Sequence, residues 1–74
     1  MMLTVKRDKL IRKRKESNLS QHRLSVLAGL GGNAIFRMET QDYKVHPLRA
    51  QAVADALNCR VTDLFENPSK KQFV

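Results

Sequence analysis

With a single cysteine, Cys59, the chain cannot close a disulfide of its own. That excludes the cross-linked framework of a small secreted scaffold and fits a reducing, intracellular setting. No apolar run approaches the roughly 20 residues that span a bilayer. The basic N-terminus is not followed by an apolar stretch, so it does not read as a secretory signal. No alternating apolar–polar pattern marks a strand, and there is no internal repeat or low-complexity segment. Catalytic chemistry is missing too. No nucleophile sits with a plausible base, no carboxylates pair, and His22, His46 and Cys59 lack metal-ligand spacing. Gly31-Gly32 has no following Lys-Ser/Thr to make a phosphate loop. These absences argue against an enzyme, a metal site and a cofactor.

Acidic side chains are also scarce, 7 against 14 Lys or Arg, which leaves a net charge of +7 on 74 residues. The bases crowd one end: Lys6, Arg7, Lys9, Arg12, Lys13, Arg14 and Lys15, offset only by Asp8. From Ala50 to Glu66 the balance turns mildly acidic, with Asp55, Asp63 and Glu66 against Arg60. Such polarity suits a polyanion, either nucleic acid or an acidic membrane surface; a plain solvated face is the alternative. Leu10 and Ile11 give the first helix too little apolar face for membrane binding.

One small domain is expected, over 1–66, with 67–74 as a frayed tail. Five helical segments can be drawn, predicting a compact all-α fold. The first runs from about Val5 to Glu16 and stops at Ser17-Asn18. Ser20 caps the second, about Gln21 to Ala28; Arg23 stands where a capping box would need Glu or Gln. Gly29 suits a left-handed C-cap. The third spans about Gly32 to Glu39, and a polar loop, Thr40 to His46, follows. Pro47 opens the alanine-rich fourth helix, which runs to about Leu57 with Asn58 at its end. Thr62 caps a short last helix containing Leu64 and Phe65. The expected core is Leu10, Leu19, Leu24, Leu27, Leu30, Ile35, Met38, Val53, Leu57, Val61, Leu64 and Phe65. Cys59 reads as a small buried apolar residue.

Ser20 to Glu39 carries the most information. Leu24, Leu27 and Ala28 share one face of the second helix, Ile35 and Met38 one face of the third, and Leu30 plugs the turn. Gly32, Asn33, Phe36 and Arg37 are left on the outer face of a short helix that can enter a DNA major groove.

The chain from about Leu10 to Phe65 resembles the Cro/C1-type (lambda repressor-like, XRE) helix-turn-helix family. Ser20-Gln21, Leu24, Gly29-Leu30, Ile35 and Glu39 match without a gap, and Pro47, Ala54, Leu57, Val61 and Leu64-Phe65 continue the match. The resemblance implies a five-helix DNA-binding fold and a cytoplasmic, nucleoid-associated regulator of phage or bacterial type, a repressor in kind. It implies that Gln21 reaches a phosphate, that Asn33 and Arg37 reach base edges or nearby phosphates, and that Arg14 and Glu39 form a partly buried ion bridge. Asn33 sits near the helix end that points at bases, where an amide can pair with adenine; a solvated or capping asparagine is the alternative. Arg37, one turn on, suits guanine or, better at that distance, phosphate; an ordinary surface arginine is the alternative. Arg23, Lys44 and His46 complete the candidate phosphate contacts, beside Tyr43 in the loop.

Three residues depart from the pattern. Gly31 replaces a Ser or Thr cap. Gly32 brings no side chain where a long polar reader is common, so direct readout rests on Asn33, Ala34, Phe36 and Arg37, or else the glycines let the backbone approach DNA. Phe36 has three readings: contact with a thymine methyl, packing on its neighbours, or contact with a protein. His22 lies near phosphate or is a plain surface histidine. The expected partner is double-stranded operator DNA bound by a homodimer, with Leu64, Phe65 and Phe73 as candidates for self-association. The other function class is an antitoxin-like, protein-binding module.

Overall fold

The computed structural model describes residues 2–68. Its order is β1 (Leu3–Val5), α1 (Arg7–Glu16), α2 (Gln21–Leu27), α3 (Ala34–Thr40), β2 (Lys44–Val45), α4 (Pro47–Ala56), α5 (Val61–Leu64) and β3 (Phe65–Glu66). The five helices are as expected; a strictly all-α fold is not. The three strands form one antiparallel sheet in the order β2-β1-β3, with Leu3 opposite Val45, Thr4 opposite both Lys44 and Glu66, and Val5 opposite Phe65. Strands of two or three residues are too short to show alternation. Only their β-branched side chains, Thr4, Val5 and Val45, hint at extended backbone.

The sheet also moves two helix ends. Val5 belongs to β1, so α1 starts at Arg7, and the Lys6 N–H donates to the Leu64 carbonyl at 2.8 Å. Phe65 leaves α5 to join β1. The cap of α5 is Arg60, whose N–H donates to the Asp63 carboxylate at 3.0 Å, rather than Thr62.

Three helices end on one device. Asn18, Gly29 and Asn58 take positive φ of 58°, 74° and 57°. At each, the N–H of that residue and of the next reach back to the last turn: Asn18 to Lys15 and Leu19 to Arg14, Gly29 to Val26 and Leu30 to Ser25, Asn58 to Asp55 and Cys59 to Ala54, all at 2.9–3.2 Å. This pairing satisfies carbonyls that a helix end would otherwise leave open. A Cβ at Gly29 would meet nothing within 4 Å, so glycine serves the backbone angle there and not crowding. Leu19, Leu30 and Cys59, next after each turn, pack against the core.

That core contains Leu10, Leu24, Ile35, Met38, Val53, Leu57, Leu64 and Phe65 as expected, joined by Ala34, Val45, Ala50 and Ala54. Leu19, Leu30 and Val61 are half-buried against it. Leu27 is not part of it and is 51% exposed. The inner face of α2 runs through Leu24, Ser25 and Ala28, and a helical pattern of three apolar residues did not distinguish Leu27 from the polar Ser25.

Candidate nucleic-acid interface

The Ser20 hydroxyl accepts the Arg23 N–H at 3.0 Å, which fixes the start of α2. The turn to α3 is pinned from inside. Fully buried Ser25 donates its hydroxyl to the Gln21 carbonyl at 2.9 Å and accepts the Ile35 N–H at 3.1 Å. It thereby satisfies one of the donors left open where α3 begins. Nothing in the linear pattern pointed to Ser25.

α3 starts at Ala34, not Gly32, because the Ala34 N–H closes a turn onto the Gly31 carbonyl and Asn33 takes the capping place. Gly31 is therefore no cap. Ile35, Met38 and Glu39 face inward, and so does Ala34, which withdraws it from the expected readers. Asn33, Phe36 and Arg37 face out, with Phe36 47% exposed, so packing on its neighbours does not account for it. Asn33 makes no side-chain cap bond, which removes the capping alternative.

The Arg14–Glu39 bridge is present and larger than expected. Arg14 Nε and Nη2 donate to the two Glu39 oxygens at 2.6 and 3.1 Å, and Nη1 donates to the Leu19 carbonyl at 2.9 Å. The two side chains are only 11% and 3% exposed. Gln21 joins them: its Nε2 donates to Glu39 Oε1 at 2.8 Å. The amide expected to reach phosphate is thus turned inward, tying the start of α2 to α3. His46 also has an internal role: its Nδ1 accepts the Leu48 N–H at 3.1 Å and caps α4. Arg23 and Lys44 are exposed, at the head of α2 and in β2.

An open cleft beside α3 is lined by Gly31, Gly32, Asn33, Arg37, Tyr43 and Arg49. A second, lined by Tyr43, Lys44, His46 and Arg49, continues toward β2. Tyr43 and Arg49 belong to both. Arg49, in the first turn of α4, escaped the sequence reading; its charge was visible, but no local spacing brings it beside Asn33 across the loop. The α1 bases go elsewhere. Lys6, Lys9, Arg12 and Lys13 line a separate groove against α5, with Glu16, Cys59 and Asp63. In this groove burial, with Asp63 beside it, pushes the Cys59 thiol up, Lys13 opposing. Folded protein at about pH 8 should therefore be alkylated by iodoacetamide more slowly than urea-unfolded protein; equal rates would show an unprotected thiol.

A model of the helix-turn-helix family matches residues 10–64 of the chain. The chain belongs to the Cro/C1-type helix-turn-helix family. It is accordingly a DNA-binding helix-turn-helix protein of a regulatory rather than an enzymatic family. No curated protein matches the chain. Among the described residues no helix is long and apolar enough to cross a membrane.

Proposed function

We propose that this helix-turn-helix protein is a sequence-specific repressor that inserts α3 into the major groove of an operator, with residues 1–66 as its DNA-binding domain. One observation carries this reading. α3 is locked from behind by a buried core and a hydrogen-bonded ion bridge, while Asn33, Phe36 and Arg37 project unburied from its other side. A rigid helix with an unengaged polar–aromatic face is what reading base edges requires. Asn33 reads adenine, Phe36 meets a thymine methyl, and Arg37 holds a phosphate or a guanine. Arg23, Lys44 and Arg49 grip the flanking backbone, which fixes register but carries no sequence information.

So small a reader is expected to bind as a homodimer, with half-sites roughly 34 Å apart. Selection of bound fragments from random DNA tests this: a two-fold symmetric site supports it, and no enrichment overturns it. On the selected site Asn33→Ala should flatten the preference at one base pair, costing about 1–3 kcal/mol there and little elsewhere. An unchanged preference would remove Asn33 from base reading.

A further inference from the structure

Gly32 stands at the entrance to α3, where a side chain would be well placed to touch DNA, and it has none. The space is not empty. A Cβ built on Gly32 would lie 3.1 Å from Nδ1 and 3.2 Å from Cε1 of His22. Both distances are inside ordinary van der Waals contact. The imidazole of His22, the second residue of α2, therefore lies against the space that a residue 32 side chain would enter, and a Cβ there would need the ring to give by a few tenths of an ångström. Both residues are exposed, and neither the core nor the ion bridge uses the ring.

From this we infer that His22 replaces the missing reader at position 32: α2 lends a side chain to the face that α3 presents. Nδ1 and Cε1 of the ring lie beside Gly32, and an imidazole carries an N–H that can donate to an acceptor there. Its target is a hydrogen-bond acceptor of the duplex at the entrance of α3, a purine N7 or a phosphate oxygen. This accounts for one departure from the family pattern, the glycine at 32, and gives the exposed His22 beside it a role. It rests on the proposed insertion of α3 into DNA.

The test uses the full chain and the operator selected by the unaltered protein. His22→Ala should bind that operator roughly tenfold more weakly while melting at the same temperature, because the side chain is exposed. Repeating the selection with His22→Ala identifies the acceptor. A preference lost at one base pair assigns the purine N7, and a uniform loss across sequences assigns the phosphate. Gly32→Ala should weaken binding similarly by pushing the ring aside, and the double variant should be no weaker than either single. If His22→Ala keeps full affinity and preference, or if the two losses simply add, the inference is overturned. Failure of the unaltered protein to select any sequence would instead overturn the proposed function beneath it.

Discussion

Glu39→Ala should unfold this domain before it has any effect on DNA affinity. The carboxylate is buried and receives three N–H bonds, two from Arg14 and one from Gln21. An exposed ion pair contributes about 0–1 kcal/mol, because water screens it and two side chains lose freedom to form it. Here burial reverses the weighting. Removing Glu39 leaves the Arg14 guanidinium mostly dehydrated, with the Leu19 carbonyl as its remaining acceptor among the described residues. Breaking a buried pair from one side costs about 3–5 kcal/mol. Domains of this size have roughly 0.05–0.15 kcal/mol of stability per residue, so the loss consumes much of the total. Chemical or thermal denaturation followed by circular dichroism measures it, and a midpoint equal to that of the unaltered protein would refute the bridge. Arg14→Met with Glu39→Met should recover most of the loss, since neither charge is then stranded. The bridge is structural, yet it determines how α3 is held: Arg14 lies on α1, Gln21 on α2 and Glu39 on α3, so one carboxylate sets the relation of three helices.

How much of this was legible beforehand depends on whether a feature is local. The helix ends at Asn18, Gly29 and Asn58 are readable because a cap is written in the residues that form it, and the left-handed turn expected at Gly29 recurs at the two asparagines. The Arg14–Glu39 pair came through family resemblance, and its depth did not, because Gln21 has two plausible partners and sequence does not rank them. The sheet was missed since β1 meets partners about forty and sixty residues away, through strands too short to carry a pattern. Leu27 and Ser25 exchanged roles for a related reason. Polarity argues for Leu27 inside, but the start of α3 needs a buried acceptor, and the Ser25 hydroxyl supplies it. At the interface, Asn33, Phe36 and Arg37 follow from helical spacing alone. Arg49 and His22 do not, since each reaches α3 from another element.

That division sets up the other large effect. Replacing Arg37, Lys44 and Arg49 together with alanine should abolish most binding at moderate salt, whereas replacing Lys9, Arg12 and Lys15 on α1 should not. Both triple variants lower the net charge of +7 by the same amount. All six residues are exposed, so stability should change little in either. The difference lies in placement: Arg37 and Arg49 share the cleft beside α3, and Lys44 and Arg49 share its continuation. Each phosphate a side chain neutralises contributes roughly 0.9 to the slope of log affinity against log salt, which is about a tenfold change in affinity per contact near 0.1 M. The cleft variant should therefore lose on the order of a thousandfold and show a slope flatter by nearly two if Arg37 reads a guanine, or nearly three if it holds a phosphate. The α1 variant should keep the slope and lose only the weak pull of distant charge, which screening over about 10 Å suppresses. Titrations of both variants against operator DNA over a range of salt measure this directly. Equal losses would mean that the molecule is held by its overall charge, and the cleft would lose its claim to be the surface that grips the backbone.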